Sequence, residues 1–140
     1  MSRNIIVFGA SGILGEHITG AFPDDRLILC DIREPEEIPD NCTYIRCDIT
    51  SGEDTASLAA RLEAEDIRPD VLIYSAGIFN YGSVTDISPE AWSQAMDVNV
   101  TGLYRVLHSL IPVLSDGAAI IAVASQYGIV GTYESASYCA

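Results

Sequence analysis

An α/β fold with a doubly wound parallel sheet is predicted by three features of the chain. Apolar runs short enough to be strands recur along it, amphipathic stretches of helical period separate them, and nothing resembling an interdomain linker or an internal repeat intervenes. The first run, Asn4-Ile5-Ile6-Val7-Phe8, is continuous and ends in glycine, as a strand covered on both faces would. At 140 residues the chain fits one domain with a sizeable core. Strand–helix–strand units in one sheet cross over right-handedly, and ligands of such sheets bind beyond the carboxyl ends of the strands.

The elements follow in order. After Gly9-Ala10-Ser11-Gly12, the apolar positions Leu14, Ile18 and Phe22 recur at helical spacing until Pro23-Asp24-Asp25 breaks the pattern. Residues 26–31 read as the second strand, closed by Asp31. Arg33 to Asn41, with two prolines and four acidic residues, reads as a loop where a second full helix would be usual. Residues 42–47 form a third strand, Glu53 to Glu65 an amphipathic helix with Leu58, Ala59 and Leu62 on one side, and Asp70 to Tyr74 a fourth strand. Ser88-Pro89-Glu90 combines a hydroxyl N-cap, a first-turn proline and an acid, which starts a long helix. Its buried stripe is expected through Trp92, Met96, Leu103, Leu107, Leu110 and Leu114, with Pro112 loosening the last turn. Ala118 to Ala124 reads as strand five, and Ser135 onward opens another helix.

Composition narrows the partners. Seven basic residues against 20 acidic ones give a net charge of −13, which argues against nucleic acid or an anionic membrane surface. The apolar run after Met1-Ser2-Arg3 is too short for a signal peptide or a membrane span, so a cytoplasmic protein is expected. Cys30, Cys42, Cys47 and Cys139 lack paired spacing and only two histidines could join them, so they read as reduced, partly buried thiols and no metal site is expected.

Glycines at 9, 12 and 15 between a strand and a helix suit a tight turn, close approach of backbone to a pyrophosphate and tight packing of helix on strand. The helix N-terminus would give the local positive potential this acidic chain otherwise lacks. Asp31 follows the loop by about twenty residues, where a carboxylate accepts from both ribose hydroxyls of NAD and repels a 2′-phosphate. NAD is therefore the expected cofactor. Arg33 could turn toward a 2′-phosphate, which keeps NADP as the less favoured alternative.

Further elements carry a family resemblance. Cys47-Asp48-Ile49 ends strand three, Ser75-Ala76-Gly77 ends strand four, Asp97-Val98-Asn99-Val100-Thr101-Gly102 lies within the long helix, and Ser125 and Tyr138 stand thirteen positions apart. Their joint spacing, over the whole chain, resembles the short-chain dehydrogenase/reductase family. The resemblance implies the five-strand N-terminal portion of a Rossmann-like domain. In it Gly9, Ser11, Gly12, Ile13, Leu14 and Gly15 would embrace the dinucleotide, Asp31 or Arg33 the ribose, and Asp48 with the Ile49 amide the adenine. Ser75, Ala76 and Gly77 stand where the family carries Asn-Asn-Ala-Gly, with serine replacing an asparagine. Asn99 would perturb its helix and hold a relay water, Ser125 would hydrogen-bond the substrate oxygen, and Tyr138 would bind cofactor and act as general acid/base in hydride transfer on a secondary alcohol or carbonyl.

Three departures qualify the resemblance. The glycine spacing is closer to the extended branch of the family, whereas the middle motifs resemble the compact branch. The passage from Asp31 to Asp48 is short. The family's lysine follows its tyrosine by four residues, which would be position 142, two past Ala140. The reading is thus of a single domain over residues 1–140, C-terminally incomplete, with little turnover of its own. Arg105 is the first candidate for a substitute cation. Association with another copy or with a missing C-terminal segment is expected. The alternative is a dinucleotide-binding or assembly module without catalysis.

Overall fold

The computed structural model describes residues 2–140. Five strands, β1 (Asn4–Phe8), β2 (Arg26–Asp31), β3 (Cys42–Arg46), β4 (Val71–Tyr74) and β5 (Ala119–Ala122), form one sheet in the order β3-β2-β1-β4-β5. Every neighbouring pair is parallel. Helices α1 (Ile13–Gly20), α2 (Gly52–Ala64), α3 (Pro89–Met96) and α4 (Gly102–Leu110) follow the strands, and the short helices α5 (Tyr127–Val130) and α6 (Ala136–Cys139) close the chain.

Period-two alternation divides the sheet between two cores. Ile6, Phe8, Ile28, Cys30, Leu72 and Tyr74 face Leu58 and Leu62 of α2 and Val106 and Leu110 of α4. The opposite face, through Ile5, Val7, Leu27, Leu29, Val71 and Ile73, meets Ile18 and Phe22 at α1. The four apolar residues of β1 are wholly buried, each worth roughly 1.5–3 kcal/mol of transfer free energy. No helix stands between β2 and β3, as the proline-rich composition predicts. Asn41 instead ties the returning loop to the chain before β2, its Nδ2 donating to the carbonyls of Phe22 (3.2 Å) and Asp25 (2.8 Å).

The long helix is perturbed at Asn99, as the resemblance implied, but the continuous stripe expected through Trp92 and Met96 is not kept. A π turn over Asp97–Thr101 separates α3 from α4, and a 3-10 turn at Ile111–Val113 ends the segment around Pro112. Buried positions run through Ala95, Gly102, Val106, Leu110 and Val113, with Leu103, Leu107 and Leu114 packed beside them. Trp92 is 37% exposed and lies outside that stripe. The reason is phase: a π turn takes an extra residue, so a 3.6-residue period carried backward from Leu103 loses register.

The register aligns the carboxyl ends of the strands. Phe8 lies beside Cys30 on one side and Tyr74 on the other. The Gly9 amide donates to the Cys30 carbonyl at 3.0 Å, the Ser75 amide to Phe8 at 2.9 Å, and the Val123 amide to Tyr74 at 2.9 Å. Glycine loop, Asp31, Ser75 and Ser125 consequently emerge along one edge of the sheet.

Candidate active site

The glycine loop is shaped by steric necessity. Gly9 has φ +79°, and a Cβ there would stand 2.6 Å from the Ala76 nitrogen. A Cβ on Gly15 would overlap the Gly9 carbonyl oxygen and lie 2.6 Å from the Ala10 Cα, so this glycine seats α1 on the loop. Gly12 is the N-cap, and no side chain caps the helix. The first-turn amides of α1 are therefore open to a ligand, at the positive end of the helix.

A cavity of about 460 Å³ lies against this loop. Gly9 and Gly12 line it, as do Asp31 and Arg33, Asp48 and Ile49, and Ser75, Ala76 and Gly77. The Asp31 carboxylate accepts from the Ser11 amide at 3.0 Å and the Arg33 amide at 3.2 Å, which aims it at the loop. Asp48 is held from both sides. Its amide donates to Asp54 Oδ2 at 2.9 Å, and its Oδ1 accepts from the Thr50 amide (2.9 Å) and hydroxyl (2.7 Å). Asp54 also accepts from the Ser51 hydroxyl, and these bonds hold its carboxyl below the usual carboxylate range, the Asp48 amide contributing most. Cys30 and Cys47 lie in the wall of the same cavity; burial raises both thiols, Cys47 to about 12, so neither is a nucleophile at neutral pH.

A second cavity, about 450 Å³, shares Ser75, Ala76 and Gly77 with the first and is lined by Leu14, Asn99, Ser125 and Tyr138. The three side chains expected to handle protons thus come together from the π turn, the end of β5 and α6. Asn99 Oδ1 accepts from the Ile78 amide at 2.8 Å and its Nδ2 donates to the Ile78 carbonyl at 2.9 Å. One lone pair and one N–H of its carboxamide stay free. Ser125 Oγ accepts from the Tyr127 amide at 3.2 Å. The Tyr138 ring packs against Phe79, centroids 4.6 Å apart.

Three of the residues expected at the dinucleotide line neither cavity. Ser11 turns its hydroxyl to the Arg33 carbonyl, Ile13 is 83% exposed, and Gly15 lies beneath the loop. Arg105, considered as a substitute cation, is paired elsewhere, its Nη1 2.8 Å from Asp97 Oδ1 in ionic contact without an aligned hydrogen bond. Thr50 and Gln94 line the first cavity and Phe79 the second without having been singled out, and Asp97, the first residue of the Asp97–Gly102 element, lines the first as well. The signal for Gln94 was its three-residue spacing from Asp97 on one helix face.

Comparison with known proteins agrees with this geometry. The family model described as enoyl-(acyl carrier protein) reductase matches residues 18–140. The chain belongs to the short-chain dehydrogenase/reductase family. This short-chain dehydrogenase/reductase is 32% identical to trans-4-hydroxycyclohexanecarboxylate dehydrogenase of Sinomonas cyclohexanicum, over 72% of the chain and 39% of that protein. An uncharacterized short-chain type dehydrogenase/reductase of Sinorhizobium fredii is 28% identical over 99% of the chain and 27% of its own length. Among solved structures, ligand-free aldohexose dehydrogenase of Thermoplasma acidophilum superposes with a TM-score of 0.91 at 28% identity, over 98% of this chain and 55% of that one. A short chain dehydrogenase of Leptospira borgpetersenii with bound NAD+ gives 0.92 at 20% identity, over 99% and 59%, a likeness of fold. The chain spans well under half the length of the curated relatives cited, 27% of one and 39% of the other. Among the described residues, no helix is long and apolar enough to cross a membrane.

Proposed function

We propose that this chain carries the dinucleotide site and the proton-handling side chains of an NAD-dependent oxidoreductase acting on a secondary alcohol or carbonyl. The observation that carries the reading is the convergence of Asn99, Ser125 and Tyr138 on a cavity whose wall, Ser75 to Gly77, is also the wall of the glycine-loop cavity. A dinucleotide fits the first cavity on two counts: the α1 N-terminus is without a side-chain cap, and Asp31 presents a carboxylate at the rim. When bound, the nicotinamide supplies the hydride acceptor or donor.

The chain's own residues then do the rest. The loop amides after Gly12 bind the pyrophosphate; Asp31 accepts from the ribose hydroxyls and disfavours a 2′-phosphate; Asp48 and the Ile49 amide hold the adenine. Ser125 Oγ orients the substrate oxygen, Tyr138 Oη donates or takes its proton, and Asn99 positions the relay water with its free carboxamide valences. All seven basic residues of the sequence are arginines, and among the described residues none lines the second cavity. A phenol, with a pKa of about 10 in water, is a poor base at neutral pH without a cation beside it, so these 140 residues alone are expected to turn over slowly. That feature also favours a second reading, a dinucleotide-binding module without catalysis. The apolar side chains exposed on β5, Ile120 and Ile121, are where association with another copy or a further segment is expected.

The test follows NADH absorbance with a panel of secondary alcohols and ketones, alongside calorimetric titration with NAD(H). Turnover lost in Tyr138→Phe supports the oxidoreductase. Cofactor binding with no turnover under any substrate supports the module, and no binding at all removes both.

A further inference from the structure

Tyr74 ends β4, directly before the wall common to both cavities. It is 3% exposed, its ring lies 6.2 Å from that of Phe8, and its hydroxyl donates to the Val98 carbonyl at 3.0 Å. Burial raises its pKa, so it keeps the proton it donates. Val98 belongs to the π turn, where carbonyls are not taken by the amide four residues on as in an α-helix and an outside donor can stabilise the altered ladder.

Gly102, the first residue after that turn, is buried against the same hydroxyl. A Cβ on it would stand 2.8 Å from the Tyr74 oxygen and 2.9 Å from Ile49 Cδ1. Only a hydrogen at this position lets Tyr74 reach Val98 and Ile49 close on the helix together. The consequences reach both sites. Val98 and Ile49 line the first cavity, while Asn99, next along the chain, lines the second and clasps Ile78.

We propose that Tyr74 and Gly102 form a lock that sets the π turn and the loop after β3 in register, making Tyr74 a positioning residue for Asn99 and Ile49. The lock rests on the functional reading only in what those two residues do, since its geometry is independent of cofactor. A ring that merely filled the core would serve as well without its hydroxyl. The hydroxyl of Tyr74 answers to the vacant side-chain position of Gly102, and that complementarity is what the core-filling account leaves unexplained.

The test is amide and side-chain hydrogen exchange by nitrogen-15 NMR on this 140-residue chain, read at the Asn99 carboxamide and the Ile78 amide. Tyr74→Phe keeps the ring and removes the hydroxyl donor from the Val98 carbonyl, so exchange at both probes should rise about tenfold, equivalent to ~1.4 kcal/mol, with the circular dichroism of the fold retained. Gly102→Ala should raise the same two probes. The double variant should be less perturbed than the sum of the singles, because the hydroxyl that the new methyl meets has been removed. Unchanged exchange in Tyr74→Phe, or strict additivity in the double variant, overturns the lock. If Gly102→Ala does not fold, Tyr74→Phe alone decides. An intact lock in a chain that binds no NAD(H) would remove the oxidoreductase reading and leave this one standing.

Discussion

The two cavities share one wall and are otherwise built to different standards. The glycine-loop cavity sits on the ends of β1, β2 and β4, whose apolar residues are buried, and its turn is dictated by backbone contacts at Gly9 and Gly15 that tolerate no side chain. The cavity of Asn99, Ser125 and Tyr138 takes its far wall from the end of β5, all four residues of which are exposed, and from α6, four residues long. Among the described residues, strand β5 pairs with β4 alone. The glycine-loop cavity is thus held by the core, whereas the cavity proposed to handle protons hangs on an exposed strand and a short helix. The difference matches how sequence encodes each: steric exclusion acts through backbone, and convergence of distant side chains acts through tertiary packing.

The broadest way to break this comparison is native-state hydrogen exchange. Amides of Ile6 and Leu72, inside the sheet, should exchange at least about a thousandfold more slowly than those of Ile120 and Ala122, which alternate away from the bonds that Ala119 and Val123 make to β4. Equal protection would mean the second cavity is as firmly built as the first.

Next in size is Gly15→Val, which forces a branched side chain into the Gly9 and Ala10 backbone. It should weaken NAD(H) binding by at least tenfold, about 1.4 kcal/mol, and lower stability by roughly 1–3 kcal/mol in a denaturant titration. Full affinity in the variant would reduce the loop to a turn. Asp31→Ala acts more narrowly, since the carboxylate lies at the rim of the cavity. Calorimetry with both cofactors should show the preference for NAD(H) relaxed toward NADP(H), and a wild-type chain that already binds NADP(H) more tightly would hand the ribose site to Arg33.

Acid should sharpen the contrast from within the first cavity. Asp54 is held below the usual carboxylate range by the Asp48 amide and then the Ser51 hydroxyl, so its contribution is fully present above the unfolded value, about 3.9, and is lost as pH falls through the lower folded value. Stability in a denaturant titration should therefore hold down to about pH 4 and fall below it, and Asp54→Asn should reduce that acid-dependent loss. The smallest effect is Ser51→Ala. Ser51 caps α2, its hydroxyl accepting from the Asp54 amide at 3.1 Å, and its loss should cost about 1 kcal/mol in thermal unfolding with NAD(H) affinity little changed.

Much of the fold was legible because its signals are local. Apolar runs gave β1, β2, β4 and β5, the mixed run at residues 42–47 gave β3, Ser88-Pro89 gave the start of α3, and Pro35 with Pro39 gave the loop between β2 and β3. Trp92 was misread because the stripe was carried through Asn99 at α-helical period, and nothing in Asp97-Val98-Asn99-Val100-Thr101 announces a π turn by itself. That turn exists where Tyr74, 24 residues earlier, donates to Val98.

Glycine spacing placed, from sequence alone, a tight turn between β1 and α1, because a positive φ such as that of Gly9 is a conformation that glycine adopts without strain. Tertiary structure decided the rest: that the Ser11 hydroxyl turns to the Arg33 carbonyl, that Gly15 packs beneath the loop, that Arg105 pairs with Asp97, and that Asn99 clasps Ile78. The clasp of Asn99 on Ile78 joins residues 21 apart, which only the folded chain brings within reach, whereas Arg105 finds Asp97 along its own helical segment.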